Sequence, residues 1–423
     1  MAELLYDENG RLLFTEEMKE NYTILIPQML PVHFKMMEKC LAKSGFNVET
    51  LTNDGREVVD AGLKYVHNDT CYPALLVIGQ FMDALESGKY DLNKTALLIT
   101  QTGGGCRASN YIHLLRKALT KAGLDYIPVV SLNLSGLDKN PGFKLSIKLL
   151  ISMVFAMVYG DLIVLLANQV RPYELNPGDA DRMIVKWEDQ LVKQFDHLRN
   201  FSNMKFRKNL ASITQDFAAI PVTRTKKVRV GIVGEIYIKY SPLGNNNLED
   251  FLLAEGCEPV VPGLIDFIIF KINNRIVDID VYGGNKWKQR LMLVLQHYVE
   301  KRQKELIAAV SKYPDFHAPE TFEEISSRVD DYMGRANKMG EGWLLTAEML
   351  DLVSNGIPNI VCAQPFGCLP NHIVGKGMIR AIRNNHPDAN IVSIDYDPGA
   401  TRINQENRIK LMLSTAKKKF AQG

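Results

Sequence analysis

The sequence predicts an α/β protein of two doubly wound parallel-sheet domains with a helical insertion between them. Three observations carry this reading. Apolar strand-like runs alternate with helical patterns over residues 1–135, strand signals fade over 136–220, and the alternation resumes over 221–423.

In the first part, Thr23-Ile24-Leu25-Ile26-Pro27 is a short apolar run bounded by turn formers. A helical pattern follows from Val32 to Ser44, and Gly45 supplies its stop. Phe46–Leu51 reads as the next strand. Ala96–Thr100 and Ile127–Leu132 suit parallel strands covered on both faces. Helical segments over 74–86 and 111–121 separate these runs. The middle part has helical spacing over 145–158, 162–170 and 181–198, with Gly160-Asp161 dividing the first two into a buried helix pair. The last part opens on the strand run Lys227–Glu235. A charged helix over 286–310 follows, solvent-facing on one side. Strands at Asn359–Ala363 and Asn390–Asp395 then flank a helix over His372–Arg383.

The chain has 423 residues, with 50 Lys+Arg against 48 Asp+Glu and a net charge of +2. That balance excludes an electrostatically driven nucleic-acid binder, which needs a concentrated basic surplus. A hydrophobic share of 46% is too high for disorder and ordinary for a globular protein. The uncharged run between Lys148 and Asp161 falls short of the roughly 20 residues a membrane span requires. Met1–Glu8 carries neither a basic n-region nor an apolar h-region, so the expected setting is cytoplasmic, without membrane contact.

Six cysteines are too few for a disulfide scaffold. Three of them share one local setting. Cys71 in Thr70-Cys71-Tyr72-Pro73 and Cys368 in Gly367-Cys368-Leu369-Pro370 each stand just before a helix. Cys106 follows the turn Thr102-Gly103-Gly104-Gly105 and precedes a helix near Asn110. A helix N-terminus offers exposed N–H groups and the positive dipole end, which favour thiolate, the metal-binding form. Gly103, Gly104 and Gly105 lack Cβ atoms, so backbone there can approach a bulky inorganic core. The spacings match no compact metal motif, and the three read equally as unrelated reduced thiols or as ligands of one cluster. Cys40 repeats with Met36, Met37 and Leu41 on a core face. Cys362 lies inside a strand, and Cys257 reads as a loop cysteine between carboxylates.

Four segments carry a resemblance: NDTCYPALLVIGQFMDAL (68–85), ITQTGGGCRASNY (99–111), VGEIYIKYSPLGNN (233–246) and CAQPFGCLPNHIVGKG (362–377). Together they resemble the 2-hydroxyacyl-CoA dehydratase superfamily, in the branch similar to the dehydratase-like part of large activase-fused proteins. The resemblance implies two Rossmann-like domains holding a 4Fe–4S cluster through Cys71, Cys106 and Cys368, with one iron left open. A double-cubane variant would need more thiolates. It also implies a separate ATP-hydrolysing activator protein that supplies a low-potential electron, radical-type dehydration of an acyl-CoA substrate, and a second dehydratase-like subunit. No Gly-x-x-x-x-Gly-Lys-Ser/Thr loop occurs, so the ATPase is expected on another chain. An iron–sulfur electron-transfer or cluster-carrying module is the alternative.

His372 and His67 flank ligand motifs and are candidates for hydrogen bonds to the cofactor. Gly231-Ile232-Val233-Gly234 lacks the third glycine of a dinucleotide loop and reads as a strand end. Glu235 and Asn245–Asn247 beyond it are candidates to face the pocket, and Lys417–Lys419 reads as a solvated helix end.

Overall fold

A computed structural model describes residues 2–67, 69–101, 105–132, 140–195 and 202–422. The expected boundary between residues 135 and 136 lies outside the described residues, as do positions 196–198 of an expected helix.

The chain forms two four-stranded, wholly parallel sheets. The first contains β1 (Thr23–Ile26), β2 (Asn47–Thr50), β3 (Thr95–Thr100) and β4 (Val129–Leu132), in the order β2-β1-β3-β4. The second contains β5 (Arg229–Gly234), β6 (Glu258–Val260), β7 (Asn359–Pro365) and β8 (Asn390–Tyr396), in the order β6-β5-β7-β8. Both orders reverse direction between their two central strands. At such a reversal, loops leave in opposite directions and open a crevice beyond the strand ends. Central strands β3 and β7 are buried along nearly their whole length, which explains their unbroken apolar runs.

Seven strands fall where the hydrophobic runs predict them. The eighth, β6, was not expected. It is a three-residue edge strand containing Pro259, which hides a strand in the sequence and is tolerated only at an edge. Cys257 lies in the loop just before it, as expected, and is fully buried there. Gly231 and Gly234 belong to β5, and each makes room for a neighbour. A Cβ on Gly231 would stand 2.5 Å from Leu352 Cδ1, and one on Gly234, at φ +149°, 2.0 Å from the Ala363 carbonyl. The glycine pair is thus strand packing.

Between the sheets, no strand lies over 140–220 among the described residues. Helices occupy Ile147–Val170, Asp179–Gln194 and Asn203–Ala218. The expected helix pair around Gly160-Asp161 is instead one continuous helix of 24 residues. Its length would suffice for a membrane span. Burial argues otherwise, since 67% of its most apolar window is inside the protein. Gly160 is present for packing: a Cβ there would lie 2.4 Å from the His33 ring. Gly160→Ala is therefore expected to cost about 1–3 kcal/mol of stability by overpacking, measurable by denaturant unfolding.

The expected helix over 372–383 is also corrected. It breaks at Gly375 into Leu369–Val374 and Ile379–Asn385, with a single 3-10 turn between. Gly375 lies too close to the Asn371 carbonyl for a side chain, 2.6 Å from a built Cβ. The buried cores cross the expected segment boundaries. One joins the Pro31–Lys43 helix to the middle helices and to Trp343. Another joins Leu97 and Ile99 of the first sheet to Val230, Ile232 and Val361 of the second.

Candidate functional site

Each of the three singled-out cysteines is a helix N-cap. Cys71 caps the Tyr72–Glu86 helix, Cys106 the 3-10 turn Arg107–Ser109, and Cys368 the Leu369–Val374 helix. None of the three side chains makes the capping hydrogen bond. At an ordinary N-cap the side chain is consumed by that bond. Here no sulfur is spent on a cap.

The fold brings these caps together from distant parts of the chain. Tyr72 N–H donates to the Phe366 carbonyl at 3.0 Å, which ties the start of one helix to the end of β7. Gly367, at φ +73°, lets the chain turn against Cys71, and a Cβ there would sit 3.2 Å from Cys71 Cα. Cys106 is within electrostatic reach of both, with Cys71 a minor cause of its raised thiol and Cys106 a minor cause of that of Cys368. Cys71 and Cys368 are buried, and Cys106 is half-buried.

The thiolate expected from helix dipoles is not favoured here. Burial pushes all three thiols up, Cys106 to about 11. Buried carboxylates add to this. Glu341 and Glu235 both raise Cys106 and Cys368, and Glu235 raises Cys71. Opposing them are the N–H groups of Ala74, Ala108 and Asn371, the Tyr111 hydroxyl and the Arg107 charge. Desolvation of a lone anion outweighs a few oriented dipoles.

Five further side chains surround the three cysteines. Tyr111 Oη lies 3.1 Å from Cys71 Sγ. Asn371 Nδ2 reaches Cys368 Sγ at 3.4 Å and donates to Glu341 Oε2 at 2.7 Å. Glu341 Oε1 also accepts from Ile236 N–H at 3.1 Å, so one carboxylate joins two helix starts. Glu235 caps its own short helix through Ile238 N–H, and burial together with the Glu341 charge pushes its carboxyl up to about 8. Lys271 Nζ donates to the Gly340 carbonyl at 2.6 Å, and burial pulls its pKa down against the opposing charges of Glu341 and Cys106. Tyr111 had a signal, since it closes the ITQTGGGCRASNY motif. Asn371 and Glu235 also lie within quoted motifs. Glu341 had only its flanking glycines, Gly340 and Gly342, both at positive φ.

The remaining candidates divide differently. Gly103 and Gly104 lie outside the described residues. Gly105 does make room, but for Met339, whose Sδ would be 2.5 Å from a built Cβ. His372 follows Cys368 by one turn and donates its backbone N–H to the Cys368 carbonyl at 3.2 Å; its ring makes no hydrogen bond among the described residues. His67 is exposed and accepts from Asp69 N–H. Asn245 is a buried strut that donates to the Ile238 and Lys239 carbonyls, while Asn246 and Asn247 make a left-handed turn. Cys40 and Cys362 are core thiols, each pushed up to about 12 by burial.

Among the described residues, no three His, Cys, Asp or Glu side chains stand close enough to share one metal ion. A multi-iron cluster is wider than one ion and takes its thiolates from further apart. The donor set fits such a group in its chemistry: three free cysteines on three elements, none spent on a cap or a disulfide. No family model matches the chain, and no curated protein matches it.

Proposed function

We propose that this chain is the iron–sulfur component of an ATP-dependent low-potential reductase or dehydratase system, built from two Rossmann-like domains. One observation carries the reading: three cysteines far apart in sequence stand at helix starts with no sulfur spent on a cap, and Gly367 brings the Cys368 turn against Cys71. Cys71, Cys106 and Cys368 would hold a 4Fe–4S cluster. Such a cluster, when bound, supplies one-electron transfer at low potential and an open iron for a substrate.

The chain's own residues support that task in three ways. Tyr111 and Asn371 offer an O–H and an N–H toward sulfur, which orient Cys71 and Cys368. Burial and the Glu341 charge raise the Glu235 carboxyl, which favours its neutral form and limits the negative charge beside the sulfurs. Burial of Cys71 and Cys368 limits the access of water to both sulfurs. An acyl-CoA thioester is the proposed substrate class, with a separate ATPase activator and a second dehydratase-like subunit as partners.

The test is anaerobic. The purified chain is reconstituted, its iron and sulfide are counted, and its reduction is followed with an activator ATPase in the presence and absence of ATP. Iron and sulfide near four per chain, with reduction only when ATP is supplied, is the expected result. Equal reduction without ATP would leave a simple electron carrier as the better account. Failure to retain iron would end both readings.

A further inference from the structure

The helices Leu264–Tyr282 and Lys286–Val310 form an antiparallel hairpin. Its second helix has two unlike halves. Toward the C-terminus, Val299, Leu306 and Val310 are buried, and the helix packs on Ile147–Val170 and Asn203–Ala218. Toward the N-terminus the apolar residues are uncovered. Trp287 is 75% exposed, Leu291 62% and Val294 67%, with Tyr298 half-buried behind them.

Those four residues are spaced four, three and four apart. That spacing is the seam of a helix–helix pairing, with Leu291 and Tyr298 at a positions and Trp287 and Val294 at d positions. The flanking position e is then Lys288, and position g is Arg290. Arg290 stacks over the Trp287 ring at 5.1 Å. Neither cation has a carboxylate partner among the described residues, whereas neighbouring Lys286 is 3.5 Å from Asp280. Flanking charges at e and g select the partner of a helical seam.

The charge pattern separates three occupants. A second copy paired antiparallel would set Arg290 against another Arg290 or His297, and Lys288 against its own kind. Paired parallel, Arg290 would meet Leu295. Neither arrangement supplies a carboxylate. A lipid surface rewards an apolar face about half a helix wide with cations opposite it. Here the cations stand immediately beside the seam, and Leu293, 49% exposed, lies beyond Arg290, with Val281 and Tyr282 exposed at the hairpin tip. An acidic helix satisfies both the seam and its cations.

We propose that the Trp287–Tyr298 seam docks an amphipathic helix of another protein, one with Asp or Glu flanking its own apolar seam. The proposal does not depend on the reading of the cysteines.

Two synthetic helices of about three heptads test it, sharing a Leu/Ile seam and differing only in Glu or Lys at the flanks. The full chain is titrated with each, and tryptophan emission is followed. Trp187 and Trp343 are buried, so a blue shift reports Trp287. The Glu-flanked peptide is expected to bind with a blue shift, at least about tenfold tighter than the Lys-flanked one. The surface variant Lys288→Glu/Arg290→Glu should invert that preference, and Leu291→Ser/Val294→Ser should abolish binding of both. Equal binding of the two peptides, or none, overturns the proposal. So does self-association that Leu291→Ser abolishes, or a Trp287 shift on phosphatidylglycerol vesicles when neither peptide gives one.

Discussion

Alanine at Cys71, Cys106 or Cys368 is expected to abolish iron and sulfide retention on anaerobic reconstitution. Cys40→Ala and Cys362→Ala should retain both. A cluster anchored by thiolates loses one anchoring sulfur in each case, whereas Cys40 and Cys362 lie inside a helix and a strand. Cys106→Ala is the cleanest case. Its side chain makes no capping bond and is only half-buried, so removing sulfur costs the apo protein little stability. An unchanged melting temperature together with lost iron would separate the cluster from the fold. If Cys106→Ala retained iron at the wild-type level, that residue would leave the ligand set. If Cys40→Ala lost iron without losing stability, the set itself would be misassigned.

The local setting of these cysteines was legible because proline and glycine write it into the sequence. Pro73 and Pro370 sit in the first helical turn after Cys71 and Cys368, where a missing N–H costs nothing. Their protonation was not legible. A helix start is a local feature that pulls a thiol down, whereas burial beside Glu235 and Glu341 is tertiary and pushes it up. Glu341 lies 27 residues before Cys368 with no local pattern to join them, and only the turn at Gly340–Gly342 brings it in. The strands were legible for a matching reason. Parallel strands covered on both faces need continuous apolar runs, and β3, β5 and β7 have them. The edge strand β6 needs little burial and has no such run.

Asp161→Ala is expected to be the most destabilising single substitution outside the apolar core. In sequence, Gly160-Asp161 reads as a break between two helices. In the fold it is the joint of three elements. Asp161 Oδ1 accepts from Leu264 N–H at 2.8 Å and pairs with His33 Nε2 at 2.8 Å, and Oδ2 accepts from Ile265 N–H at 2.9 Å. The Leu264–Tyr282 helix has glycine at its N-cap, Gly263, and so no capping side chain of its own. Asp161 supplies that cap from a helix about a hundred residues earlier, and a carboxylate there also meets the positive end of the dipole. Gly263 has to be glycine, because a Cβ would lie 2.8 Å from Asp161 Oδ2. Alanine at 161 strands two buried amides and the His33 ring, a cost of at least about 3 kcal/mol. Asparagine keeps one acceptor oxygen but turns an N–H₂ toward a backbone donor, so Asp161→Asn should fall between alanine and wild type. Denaturant unfolding of both variants measures the order. Equal stability of Asp161→Ala and wild type would mean that water caps this helix as well as the carboxylate does. The joint would then contribute nothing to holding the middle helices against the second half of the chain.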